Sequence, residues 1–192
     1  MKLKIVNFEK VSSTNDVAID LIKKKNKKIG FVCSKSQTKG RGTYGKKWIS
    51  QKGNLFVTIF FEIKKKYPPF SEFAIINSIL ISNVIKKYCK NISLKYPNDI
   101  FVNKKKICGT LQEIITSKKK KFLIIGIGIN VVSSPNFKNK YKTTSIFAES
   151  QNNPTINDIT NSLISSYENF FKNLKSYNYS NFKKKADLIA LN

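Results

Sequence analysis

The chain has 192 residues, 41% hydrophobic and 12% aromatic, a balance that excludes intrinsic disorder and fits one globular domain. It carries 36 Lys and Arg against 11 Asp and Glu, for a net charge of +25. It has no histidine, which excludes histidine metal ligands and histidine general bases.

The charge invites a nucleic-acid reading, but the lysines fall in runs at 23–25, 64–66, 104–106 and 118–121, at apparent ends of helices and hairpins. Such runs are solvated turns, and no interleaved aromatics offer a base-stacking platform. Cys33, Cys89 and Cys108 show no metal-ligand spacing and make no even disulfide set. The first ten residues hold no apolar signal region, and no apolar run is long enough to span a membrane. A cytoplasmic protein without membrane or DNA partners is expected.

In chain order, residues 3–8 alternate as a first strand. Ser12 to Asp16 supply N-cap residues before Val17, Ala18, Leu21 and Ile22, so a helix is expected from about Thr14. Residues 29–34 form a short apolar strand that feeds the stretch QTKGRGTYGKKW at 37–48. That stretch holds three of the eight glycines, Gly40, Gly42 and Gly45, the only arginine, Arg41, and the only tryptophan, Trp48. In a chain that otherwise uses lysine, one retained guanidinium points to a planar fork matched to carboxylate or phosphate. The flanking glycines let the backbone come close to an anion.

Residues 54–61 read as a buried strand, 70–88 as a helix and 92–96 as a strand ending at the corner Pro97-Asn98-Asp99. Strands at 100–102 and 106–115 flank a turn at 103–105, and Gly109 inside the second marks a bulge or a close backbone approach to a ligand. Residues 122–130 form a further buried strand. Its Gly126 and Gly128 are too weak a signal to read as a nucleotide motif. Helices follow from about Asn157 and from Ser180 to Leu191. The expected fold is α+β, a mixed, largely antiparallel sheet with helices packed on one face.

Ser13-Thr14-Asn15, QTKGRGTYGKKW at 37–48, KYPND at 95–99, KKICGTLQE at 105–113 and GIGINV at 126–131 stand in an order that resembles the catalytic domain of the biotin–protein ligases. The resemblance covers residues 8–150 and, more loosely, the C-terminal helices. It implies a class II synthetase-like fold and the joining of biotin to ATP as biotinyl-adenylate. Biotin then passes to a lysine of a biotin carrier domain of a carboxylase, with Mg²⁺ accompanying ATP.

By resemblance, Arg41, Lys106 and Asp99 are the catalytic residues. Biotin falls to Ser13, Thr14, Asn15, Gln37, Gly40, Arg41, Lys106 and Gly109. ATP falls to Gly42, Thr43, Gly45, Lys46, Trp48, Lys95, Asn98 and Asn130, with no metal ligand assigned. Where the family commonly has arginine after Gly-Arg-Gly this chain has Thr43, which implies weaker closure of the loop over the adenylate.

The whole of 1–192 is expected to be one catalytic domain, without an N-terminal helix-turn-helix and without the small C-terminal β-barrel that relatives carry. It would be either a minimal enzyme or a truncated one, and a monomer or a homodimer. A lipoate or octanoate ligase or transferase shares the fold and stays open as a second reading. A non-catalytic biotin or nucleotide binder is the third.

Overall fold

The computed structural model describes residues 2–136, 141–150 and 152–191. The apolar runs assemble into a seven-stranded sheet in the order β1-β2-β3-β7-β6-β5-β4. The strands are β1 (Ile5–Phe8), β2 (Ile29–Ser34), β3 (Leu55–Glu62), β4 (Ile92–Lys95), β5 (Asp99–Val102), β6 (Lys105–Ser117) and β7 (Lys120–Ile129). Only the β1–β2 pair is parallel, so the sheet is mixed and largely antiparallel, as expected. The β5–β6 and β6–β7 hairpins turn on Asn103-Lys104 and Lys118-Lys119, all four at positive φ, the geometry whose twist suits a two-residue hairpin. Two of the lysine runs are therefore turns in water.

Strand alternation separates two faces. Leu55, Val57, Ile59 and Phe61 of β3, with Leu123, Ile125, Ile127 and Ile129 of β7, point into the larger core. The helices are α1 (Thr14–Lys23), α2 (Phe73–Ile85), α3 (Ile146–Glu149), α4 (Ile156–Lys172) and α5 (Tyr179–Leu188). The periodic stretch from Phe70 opens with a 3₁₀ turn before α2 begins. Helix α2 is buried nearly all round because it lies between the sheet and the helices α4 and α5. Helix α4 is amphipathic and buries Ile159, Leu163, Tyr167, Phe170 and Phe171, and each such side chain stabilises the fold by about 1.5–3 kcal/mol.

The expected helical face is thus built by α2, α4 and α5. Helix α1 lies on the other face, where Ala18 and Ile22 meet Val32, Phe60, Phe122 and Ile124. The loop that follows β2 packs Trp48 on the same sheet at Gly109 and Gly128. Among the described residues no helix is long and apolar enough to cross a membrane.

Candidate functional site

Three glycines leave part of one face of the sheet without side chains. In β6 and β7, Gly109 pairs directly with Gly128, and Gly126 lies opposite Leu111 and Thr58. A Cβ at Gly128 would stand 2.4 Å from Trp48 Cε2, and one at Gly109 would stand 2.9 Å from Trp48 Cζ3. A Cβ at Gly126 would stand 2.5 Å from Asn15 Oδ1. The indole of Trp48 and the amide of Asn15 therefore rest on bare backbone. At Gly109, where an approach to a ligand was expected, the close neighbour is the Trp48 side chain.

The loop that carries Trp48 is a small hairpin. Gly42 N–H donates to Lys46 O at 2.7 Å and Trp48 N–H to Gly40 O at 2.9 Å. Its tip turns through Tyr44 and Gly45, both at positive φ. Gly40 is required where it stands, since a Cβ there would meet Trp48 O at 2.5 Å.

Helix α1 meets the cleft at its N-terminus. The Ser13 side chain does not cap it; Gln37 Oε1, from the loop, accepts from Thr14 N at 2.8 Å. The capping residues seen in the sequence thus mark the helix start, while the cap itself comes from residue 37. Gln37 Nε2 goes on to Ser50 Oγ at 3.0 Å, which fixes the amide orientation. Thr58 Oγ1, fully buried, lies 2.8 Å from Thr14 Oγ1 and 2.6 Å from Asn15 Oδ1.

At the other end of the floor stands an ion pair. Lys106 Nζ lies 2.6 Å from Asp99 Oδ2, with only 12% and 25% of the two side chains exposed. The ammonium also sits 5.6 Å from the Trp48 ring and 5.2 Å from that of Tyr141, within cation–π range of both. Beneath it Cys108 is fully buried; burial and then the Asp99 carboxylate push its thiol well up, so it stays neutral. Asn98 Nδ2 donates to Thr110 O at 2.8 Å, which ties the Pro-Asn-Asp corner to β6.

One cleft is lined by Ser13, Thr14, Asn15, Gln37, Arg41, Gly42, Thr43, Trp48, Asn98, Asp99, Lys106 and Gly109, all singled out in the sequence. Asn130 lines an adjoining cavity behind Trp48 with Lys106, Tyr141 and Thr143. Its Oδ1 and Trp48 Nε1 are each buried with no hydrogen-bond partner among the described residues, one an acceptor and the other a donor. Four expectations fall elsewhere. Lys95 is exposed beyond the corner, and Lys46 and Gly45 lie at the exposed hairpin tip. Gly40 shapes the hairpin and does not line the cleft.

Arg41 is also placed differently from a free fork. Its Nη2 pairs with Asp16 Oδ1 at 2.9 Å and with Glu113 Oε2 at 3.0 Å. The sequence reading assigned no site role to Thr58 or Tyr141, took Asp16 only as part of the helix start, and left Glu113, Gly126 and Gly128 inside the quoted motifs without a role of their own. For Glu113 a signal existed, since period two from Gly109 puts Leu111 and Glu113 on the same face.

The family model for the biotin/lipoate A/B protein ligases matches residues 7–130. The bifunctional ligase/repressor BirA of Bacillus subtilis is 28% identical over 135 residues, which are 69% of this chain and 42% of that protein. BirA of Escherichia coli is 30% identical over 126 residues, 63% of this chain and 38% of its own length, so the chain spans well under half of these curated relatives. Among solved structures, the biotin protein ligase of Leishmania major in complex with biotin superposes with a TM-score of 0.83 at 25% identity, covering 97% of this chain and 81% of that one. The Aquifex aeolicus biotin protein ligase, in complex with biotin and ATP, gives a TM-score of 0.80 at 26% identity over 98% and 78% of the two chains. A family match over most of the sequence and a shared fold over nearly all of it agree with the glycine-floored cleft, and the chain belongs to the biotin/lipoate A/B protein ligase family.

Proposed function

We propose that this chain attaches biotin to a lysine of a biotin carrier domain in two steps. The biotin carboxylate attacks the α-phosphorus of ATP to form biotinyl-5′-adenylate and release pyrophosphate. The carrier amine then attacks the acyl carbon and AMP leaves. The observation that carries this reading is the Lys106–Asp99 pair at one end of a glycine-rich floor, with the Thr14–Gln37 polar cluster at the other. The relatives that share this fold are named biotin protein ligases, and solved examples hold biotin with ATP or biotinyl-5-AMP.

Two anions must meet in the first step, so fixed cations in a partly dry site do most to lower its barrier. Lys106, held by Asp99 and two rings, follows the charge that builds on the phosphate. Ser13, Thr14 and Gln37 hold the polar ring of biotin, and Gln37 is already oriented for it. The unpartnered Asn130 acceptor and Trp48 donor match the amino group and ring nitrogen of a nucleobase. In the second step Asp99 takes the proton of the incoming amine.

Magnesium enters as part of the MgATP substrate. Among the described residues no group of three Asp, Glu, Cys or His side chains could hold a metal, and Mg²⁺ is commonly bound through phosphates and one or two carboxylates. The sheet and its helices act as one catalytic domain in the cytoplasm. Incubation with ATP, biotin and a carrier domain should add one biotinyl group to the carrier's target lysine by intact mass. A carrier with that lysine replaced by arginine should stay unmodified. Modification of neither protein, with the enzyme folded, would overturn the proposal.

A further inference from the structure

Glu113 has no role in the reaction as set out above, yet it sits at the junction of three segments. It projects from β6 on the cleft face, and its single oxygen Oε2 accepts from Asn15 Nδ2 at 2.6 Å and from Arg41 Nη2 at 3.0 Å. Asp16 Oδ1 takes Arg41 Nη2 from another side at 2.9 Å. The start of α1, the Gly-rich hairpin and β6 are thus joined through one guanidinium nitrogen. An Nη2 group has two protons, and both bidentate edges of a guanidinium pass through it. With two carboxylates on Nη2, neither edge is free as a complete fork. A ligand anion is left with Nη1 or Nε.

We propose that Glu113 is a positioning residue: with Asp16 it sets the angle of Arg41 and draws the hairpin down over the cleft. This rests on the cleft being the biotin-adenylating site. The Arg41 and Asp16 side chains are 40% and 46% exposed, and ion pairs in that setting add little to global stability. Glu113 is 26% exposed and also holds Asn15, which rests on Gly126 and is met by Thr58. Glu113 therefore orients Arg41 from the rigid sheet, and Asp16 restrains it from the helix. The hairpin is seated on the sheet at one strand by Trp48, on Gly128 and Gly109, and at the other by Arg41, so losing the Glu113 tie loosens the Arg41 strand while Trp48 stays in place.

Glu113→Gln tests this because it keeps the size and one acceptor for Asn15 but removes the charge that holds Arg41. The free variant should melt at the wild-type temperature, while the amides of Gly42 and Trp48 exchange about ten-fold faster with deuterium. In biotin-dependent pyrophosphate exchange its KM for biotin should rise about five- to ten-fold, with kcat changed less. In an Arg41→Ala background the same substitution should change neither quantity further, since coupled residues are not additive. Asp16→Asn, which leaves the Asn15 contact intact, should show the same pattern at smaller size. Equal effects with and without Arg41, or unchanged hairpin exchange, would overturn the proposal. Absence of biotin turnover in the wild type would remove the functional reading instead, while hairpin exchange would still report on the positioning.

Discussion

Gly128→Ala puts the packing of the cleft floor to a direct test. An ideal Cβ at that position would lie 2.4 Å from Trp48 Cε2, 2.5 Å from Nε1 and 2.6 Å from Cζ2. Carbon atoms pack best at about 3.5–4.0 Å, so the indole must move by roughly 1–1.5 Å or the strand must give. β7 is laddered to β3 on one side and β6 on the other, whereas Trp48 is carried on a short hairpin. The indole therefore gives way.

Alanine is better than glycine in a strand by about 0.5–1 kcal/mol, and overpacking costs about 1–3 kcal/mol. The net loss is about 0–2.5 kcal/mol, and it sits at the low end because the hairpin can lift. Trp48 is the only tryptophan, so its emission reports the movement without a competing signal. Emission should shift to the red and acrylamide quenching should rise, while the melting temperature falls only slightly. Gly109→Ala, where the nearest indole atom is 2.9 Å away, should do the same to a smaller extent. A Gly128→Ala protein with wild-type emission and quenching would refute the placement of Trp48 on the glycine pair.

Asp99→Asn should slow transfer of biotin to the carrier by about 10²-fold or more, the usual range for a lost base, and slow adenylate formation less; single-turnover measurement of each half-reaction decides. Thr58→Val removes a buried hydroxyl between Thr14 Oγ1 and Asn15 Oδ1 and should cost about 1–3 kcal/mol in denaturant unfolding. The second-order rate of transfer to an acidic carrier should fall as salt rises past about 0.15 M, where the Debye length is about 8 Å, because the net charge of +25 steers the encounter.

Burial, then the Glu149 carboxylate, push the Cys89 thiol from 9.0 up to about 11. A thiol whose pKa is raised by folding supports the native state fully below the unfolded value and loses that contribution as pH rises through the window from 9.0 to about 11. Thermal melts from neutral to alkaline pH should therefore fall more steeply for wild type than for Cys89→Ala.

Strands and hairpins were legible because alternation and turn chemistry are local. Residues 29–34 match β2, and the lysine-rich turns sit where their polarity implies. The two-sided placement of helices was not, since the apolar stripe of α1 fits either face of a sheet. Gly126 and Gly128 were too weak a signal on their own. Their meaning comes from Gly109 lying opposite Gly128, a register set by strands almost twenty residues apart in sequence. Arg41 stood out by its rarity, but its engagement by Asp16 and Glu113 depends on contacts 25 and 72 residues away. Lys95 shares the tight corner with Asn98 and Asp99, yet it is exposed beyond the cleft.

The most direct measurement is exchange of radiolabelled pyrophosphate into ATP with biotin, lipoate or octanoate as the sole acid. Exchange that requires biotin and is absent with lipoate and octanoate is the expected result. Exchange supported by lipoate or octanoate, or none with any of the three from folded protein, would contradict biotin adenylation in this cleft.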